Sequence, residues 1–389
     1  MAPSIELENM PENYQLSPVR KKSKGNAMLS SKIPSAPHQK TALTVGLAND
    51  ARQMIESLTD DEKEHAARAN FAYLWRAVTE ANSPALSQER DDAAALMAMR
   101  HLKSKKGDTE LALTKLKSAI QFRKDFDLDG LRLCFHAEEL TDHFDEETKE
   151  RYAMYRAKLE DRMTTGRVYV SGHDKCGRAI YTIYAARTKD FDREWFLKES
   201  LYNFERAIAA TEHRTGGKEQ SITVIGNYTG FTSKHSAPMS ISHEFMDILR
   251  QNYPGRVNRV YLLNTPTSFM FFWSILKPFI GTDTRKKIQF VNNEKQRERE
   301  FSDMVTLDQA APWMLKNGKN TKEFDSMEYL RDVPFNKTFQ TLSSSTEEMT
   351  KPLQPVVQSK STSKEIKLRA RDGAILGKVK SLASGKLRL

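Results

Sequence analysis

The sequence predicts an α/β protein: a mixed, mostly parallel β-sheet floor covered by helices and preceded by a small all-helical unit. Three observations predict it. Between residues 167 and 291 strand-length apolar runs alternate with helical patterns, the arrangement that builds parallel sheets. Between about 59 and 125 only helical periodicity appears. Residues 268–279 form a helix that is apolar nearly all round and sits between two strands, so it is buried or covers something apolar.

Length and composition set the bounds. The chain has 389 residues, enough for one large domain or two ordinary ones. Two cysteines, Cys134 and Cys176, exclude a disulfide framework and a cysteine-rich metal site, and they fit free thiols in a reducing compartment. No run of 18 apolar residues exists, so no membrane span is expected. The first residues lack the apolar core of a signal peptide, and Glu6, Glu8 and Glu12 argue against a transit peptide. The formal net charge is +10, unevenly placed. Residues 1–45 carry six Lys/Arg against three acids, and residues 351–389 carry ten against two, so the middle is near −1. The basicity belongs to the tails, which speaks against a nucleic-acid groove in the folded body. It suits tails that meet an anionic membrane surface, nucleic acid or an acidic partner. Arg20, Lys21, Lys22 and Lys24 match a nuclear address, but a solvated charge run is the commoner meaning.

Taken in order, residues 1–45 are rich in Pro, Ser, Lys and Asn without periodicity and read as disordered. Thr59-Asp60-Asp61-Glu62 is a capping box, and its helix is expected to run to about Ala81, where Asn82-Ser83-Pro84 stops it. A second helix fits Gln88 to Lys103, and Asp108 caps a third carrying Leu111, Leu113, Leu116, Ile120 and Phe122. A polar helix fits Glu146 to Arg162. Residues 167–184 read as a hairpin around the turn Asp174-Lys175-Cys176-Gly177. An amphipathic helix from Trp195 to Thr211 ends at Gly216-Gly217, and Ile222 to Ile225 is a buried-type strand. A helix from Pro238 to Asn252 follows, then a strand at Val260 to Asn264. Pro266 breaks that strand, and Thr267 can cap the apolar helix carrying Phe269, Met270, Phe271, Phe272, Trp273, Ile275 and Leu276. Lys277-Pro278 stops this helix, and Ile288 to Val291 is a last short strand.

The stretch from Tyr253 to Asn292 resembles the CRAL-TRIO lipid-binding, phosphatidylinositol-transfer-like family. The residues that carry the resemblance are Tyr253-Pro254 with Arg256, Asn264 and Pro266, then Lys277-Pro278-Phe279, Thr284 and Lys287-Ile288. Upstream, MRHLKSKKGD with Phe122-Arg123-Lys124 resembles the family's helical N-terminal pattern, and Asp174 to Tyr181 resembles its D-x-x-G-R turn and strand. The resemblance covers about 90 to 318. It implies a helical N-terminal subdomain 46–135 and a CRAL-TRIO lipid-binding domain 136–320, and composition adds a disordered segment 1–45 and a C-terminal extension 321–389 ending in a basic tail.

The same resemblance implies a site. Lys105, Lys106, Asp174, Arg256, Thr284 and Lys287 match positions that hold an inositol-phosphate headgroup. A buried phosphodiester needs cations and hydroxyl donors, and an acid can accept from inositol hydroxyls. Tyr181 matches a position that helps hold phosphatidylcholine. Ser221 and Thr223 match its strand pair in one register, but aligning Gly230 with the family puts Ile222 and Val224 there instead. Gly255 stands where the family carries Glu, which removes one acceptor for the inositol ring. Phe269, Phe272, Trp273, Leu276 and Phe279 fall on the helix that gates the lipid cavity in the family. Catalysis finds little support: His243-Glu244 lacks the second His of a zinc helix, and no G-x-S-x-G elbow or phosphate-cradling Gly loop occurs. The expectation is a monomeric, cytoplasmic carrier that encloses one phospholipid and exchanges it at anionic membranes. No cofactor, no metal and no nucleic acid are expected. A carrier of a retinoid, tocopherol or sterol, or a lipid-sensing adaptor, are the alternatives.

Overall fold

A computed structural model describes residues 37–331, apart from 82, 137–142, 268, 271–272 and 274–281. Both basic tails and most of the expected helix 268–279 lie outside the described residues.

Order begins earlier than residue 46. Helix α1 spans Pro37–Glu56. Pro37 suits a first helical turn, where its missing N–H is not needed. The Thr59 capping box opens α2 (Asp60–Ala67): Glu62 N donates to Thr59 Oγ1 at 3.2 Å, and Thr59 N donates to Glu62 Oε2 at 2.9 Å. The single helix expected up to Ala81 is instead broken after Ala67. Asn70 starts a new one, α3 (Phe71–Thr79), by accepting from Tyr73 N at 3.0 Å. Periodicity continues through the break, so only the capping residue betrays it. Helices α4 (Leu86–Ser104) and α5 (Thr109–Asp125) follow as expected, with Asp108 accepting from Leu111 N. Ala94, Ala98, Ala112 and Ala119 let these helices close on Met54, Leu58, Leu102, Leu116 and Ile120. A short α6 (Leu128–Leu133) and the Asp145-capped α7 (Glu146–Met163) lead into the sheet.

Strands β1 (Val168–His173) and β2 (Ala179–Tyr184) form the expected antiparallel hairpin, with a bulge between Val170 and His173. Helix α8 (Arg193–Thr215) ends where Gly216 turns left-handed, φ 57°. Strand β3 (Ile222–Asn227), helix α9 (Met239–Asn252), strand β4 (Val257–Leu263), helix α10 (Thr282–Lys287) and strand β5 (Ile288–Val291) complete the alternation. The strand order is β1-β2-β3-β4-β5, and β2 to β5 are parallel. Each parallel crossover therefore steps the same way, and right-handed crossovers put all connecting segments on one face. On that face Tyr181 and Ile222 join the core with α8 residues Leu201, Phe204 and Ile208. The opposite face is closed by α11 (Glu294–Met304) and the segment after it, through Phe301, Val305, Met314 and Leu315. The last described element is α12 (Ser326–Arg331), which the sequence pattern did not predict.

Candidate functional site

The two faces of β3 to β5 are finished differently. Alternate residues of a strand point to opposite faces. On the face covered by α11, Ile225, Tyr261, Leu263 and Val291 are 0%, 4%, 0% and 1% exposed. On the crossover face, Val224, Val260 and Ile288 lie in one register row with Tyr181, and Leu262 and Phe290 lie in the next with Ile183. There Val224, Val260, Ile288 and Phe290 are only half-buried. Helix α8 seals the β2 end of the rows, where Tyr181 is buried and donates its hydroxyl to the Ser200 carbonyl at 3.2 Å. Beyond α8 the covering side chains come from the segment after β4. The Trp273 ring stands edge-on to Phe290 with centroids 5.3 Å apart, and Phe269 lies 4.4 Å from Tyr228. An apolar floor of β-branched and aromatic side chains under an aromatic cover is suited to hydrocarbon chains.

The amino-terminal ends of the parallel strands carry charge instead. Leu201, Glu205, Ile208 and Glu212 share one face of α8 at helical spacing. Glu205 takes Arg123 at 2.8 Å, Arg132 at 3.2 Å and the Tyr253 hydroxyl at 2.8 Å. Burial pushes the Glu205 carboxyl up, but the Arg123 and Arg132 guanidiniums outweigh it and hold the pKa at about 2. Glu212 takes Arg256 at 2.6 Å, and Arg256 also donates to the Gln220 carbonyl at 2.9 Å. Arg100 donates to the Gln220 side chain at 3.0 Å. Between these groups lies a void of about 10 Å³, lined among others by His101, Arg123 and Arg256. It has room for one water and is far too small for an inositol ring. His101 Nε2 is buried without a hydrogen-bond partner there.

The family model for the CRAL/TRIO domain matches residues 163–311. Over those residues the chain resembles the CRAL/TRIO family. It is similar to Patellin-3 of Arabidopsis thaliana, 23% identical over 268 residues, 66% of this chain and 49% of that protein. It is 27% identical to the Sec14 cytosolic factor of Schizosaccharomyces pombe over 213 residues, 53% of this chain and 68% of that one. It is 24% identical to the phosphatidylinositol/phosphatidylcholine transfer protein SFH7 of Arabidopsis thaliana over 216 residues, 51% and 35% of the two chains. The crystal structure of Sfh5 covers 81% of this chain and 100% of its own, with 15% identity and a TM-score of 0.49. The chain thus spans about half of Patellin-3 and about a third of SFH7.

The expected headgroup residues converge only in part. Arg256 directly precedes β4, and the Lys287 ammonium donates to the carbonyl of the next residue, Val257, at 2.9 Å. Both cations therefore stand at the same strand end. Asp174 sits in the β1–β2 turn, where Oδ1 accepts from Cys176 N and Arg178 N, each at 2.9 Å, and Oδ2 accepts from Thr223 Oγ1 at 3.1 Å. Each of these three groups has partners inside the protein. Thr284 lies in α10, but its side chain is outside the described residues. Lys105 is half-buried and Lys106 exposed, in the turn after α4. The α4 residue that joins the Arg256 cluster is Arg100, through Gln220, not either lysine. Tyr181 and Thr223 point to opposite faces, since Tyr181 pairs with Val224. They cannot share one headgroup, in line with the register that puts Ile222 and Val224 on the Tyr181 face. Of the expected gate residues, Phe269 and Trp273 are described, while Phe272, Leu276 and Phe279 lie outside the described residues.

Sequence reasoning missed Arg100, Arg132, Glu205 and Glu212. A signal existed: two acids interrupt the apolar stripe of α8 at i, i+4 and i+3 steps, where an unpaired carboxylate is too costly to bury. The structure also explains Gly255. Arg256 N donates to the Tyr253 carbonyl at 3.3 Å across Pro254-Gly255, and Gly255 has φ 74°. Pro then Gly with positive φ is the type II turn pattern, and a side chain at 255 is strained. Among the described residues, no group of three or more His, Cys, Asp or Glu is placed to hold a metal, and no helix is long and apolar enough to cross a membrane.

Proposed function

We propose that this protein binds and transfers a lipid, holding the acyl chains between the β3–β5 floor and the segment that carries Phe269 and Trp273. The observation behind this reading is that Val224, Val260, Ile288 and Phe290 stay half-buried while Ile225, Tyr261, Leu263 and Val291 on the other face are fully buried. Leaving that much apolar surface uncovered on a core sheet is unfavourable unless a ligand covers it. The CRAL/TRIO match and the names of relatives such as SFH7 support a phospholipid, and phosphatidylinositol is the preferred one. The Arg256 and Lys287 strand end is the proposed seat of its headgroup. The action is exchange rather than reaction: the cover opens at a membrane surface and closes over the chains. A monomer working in the cytoplasm fits this, as the name Sec14 cytosolic factor suggests for one relative.

The test is to extract lipid from the purified chain, identify it by mass spectrometry, and measure transfer of labelled phosphatidylinositol between vesicles. Co-purified phosphatidylinositol with transfer is the expected result. No bound lipid and no uptake from vesicles would overturn the reading. A second reading, a carrier of an uncharged molecule such as a retinoid, tocopherol or sterol, draws on the internal pairing of Asp174 and Arg256. Recovery of such a molecule in the same extract would favour it.

A further inference from the structure

Lys105 and Lys106 are left over by the site described above, and their surroundings suggest another task. Helix α4 ends in a left-handed turn at Lys106, φ 57°, with Gly107 N donating to the Leu102 carbonyl at 3.0 Å. This closes the helix and leaves Lys106 on the surface. Lys105 beside it has its pKa lowered, first by partial burial, then by the neighbouring cations Lys115 and Arg250, against Asp108. Lys115 lies on α5 one turn after Leu111, which is 44% exposed. Arg250 lies on α9 one turn after Met246, which is 42% exposed. Residues at i and i+4 share a helix face, and α5 packs on α9. One surface therefore gathers two exposed apolar side chains and four cations. Two of the acids beside them are engaged: Asp108 caps α5, and Asp247 pairs with Arg250 at 2.9 Å, which leaves Glu110 in the first turn of α5. Among the described residues, Lys105, Lys106 and Lys115 have no ion-pair partner.

We propose that this surface, formed by the α4–α5 turn with the outer faces of α5 and α9, docks the protein on an anionic lipid bilayer. Lysines attract the headgroups, and Leu111 and Met246 enter the boundary below them. The exposed apolar pair favours a bilayer over a nucleic acid, whose phosphates offer those side chains nothing. The proposal deepens the lipid-transfer reading, because it names where the membrane is met. It does not require that phosphatidylinositol be the cargo.

The full chain is compared with Lys105→Glu/Lys106→Glu/Lys115→Glu in co-sedimentation with phosphatidylcholine vesicles, with or without phosphatidylserine. Each lysine near an anionic surface contributes roughly a fivefold factor, so the variant is expected to bind phosphatidylserine vesicles at least tenfold more weakly. Its lipid content and unfolding transition should match the parent. The basic residues 351–389 give both proteins the same background. Leu111→Ser/Met246→Ser, with every lysine kept, should bind severalfold more weakly at unchanged salt dependence. Parental vesicle binding by the triple variant would overturn the proposal. So would loss of binding to a short DNA duplex with vesicle binding kept, which would assign the surface to nucleic acid. A parent that carries no lipid yet loses vesicle binding on charge reversal would sink the transfer reading and leave the docking surface standing.

Discussion

Arg256 and Glu212 form an ion pair at 2.6 Å with side chains only 4% and 10% exposed, and it fastens the start of β4 to the end of α8. Removing one partner of such a pair leaves a buried charge unmatched. Arg256→Ala is therefore expected to lower stability by about 3–5 kcal/mol. Adding Glu212→Gln should recover part of that loss. Urea unfolding of the three proteins checks this, and an unchanged midpoint for Arg256→Ala would show that the pair anchors nothing. It follows that lost lipid transfer in Arg256→Ala is not by itself a headgroup result.

Lys287 offers the cleaner headgroup test. Lys287→Met keeps the stem and removes the ammonium, whose charge-assisted bond to the Val257 carbonyl costs about 1.5–3 kcal/mol to lose. A charge-assisted contact to a phosphodiester is worth about 1.5–3 kcal/mol, so phosphatidylinositol affinity should fall roughly tenfold or more. Transfer at the parent rate would remove Lys287 from the headgroup site. Gly255→Glu, which on sequence grounds alone should equal or improve binding, is now expected to destabilise, because Gly255 sits at φ 74°.

The floor and its cover are tested by Phe290→Asp and Trp273→Asp. The two rings meet edge-on at 5.3 Å on the half-covered face. A carboxylate there costs several kcal/mol to keep away from water. Both variants should lose bound lipid and vesicle uptake while staying folded. Unchanged lipid content in either one would show that its ring does not face cargo.

Stability should depend on pH most strongly through two deeply buried histidines, with burial also holding the half-buried His173 and His213 below the ordinary value. Burial, then Arg100 and Lys105, pushes His101 down to about 3; burial, then Arg206, pushes His136 down to about 3. Both folded values lie below the ordinary 6.5, so the unfolded chain binds the protons. Stability is full above pH 6.5 and falls as pH drops toward 3, by up to about 1.4 kcal/mol per unit for each histidine. Glu205, held at about 2 against an ordinary 4.5, adds its loss only below pH 4.5. In urea midpoints from pH 8 to 5, His136→Phe should show a shallower slope than the parent. An equal slope would mean that His136 does not titrate on unfolding.

The stretch from Phe324 to Phe339 matched no pattern in the sequence, yet Tyr329 is built into the fold. Its hydroxyl donates to Asn203 Oδ1 at 2.7 Å and accepts from Val170 N at 3.0 Å, and Arg206 lies 3.8 Å from its ring centroid. Tyr329→Ala is expected to cost about 2–3 kcal/mol, somewhat less than the deletion of a fully buried aromatic. Tyr329→Phe should cost about 1–3 kcal/mol, the price of unsatisfied partners. Melting curves that coincide with the parent for Tyr329→Ala would mark the segment as dispensable.

The sequence alone determined the order and kind of all five strands and of the longer helices from α4 to α9, but not of α1, α6, α10, α11 and α12. Caps at Thr59 and Asp108, the Gly216 stop and the strand runs at Ile222 and Ile288 act within a few residues, so a short window contains their cause. The missed break at Asn70 shows the same rule, for a single capping residue decided it. Tertiary structure alone decided which face of the sheet stays open and which cations are already paired. Asp174 meets Thr223 across 49 residues, and Arg256 meets Glu212 across 44. Those meetings depend on strand order and on where each crossover helix lands. No window of sequence carries that information, because it is set by how one-directional, right-handed crossovers stack on a shared face.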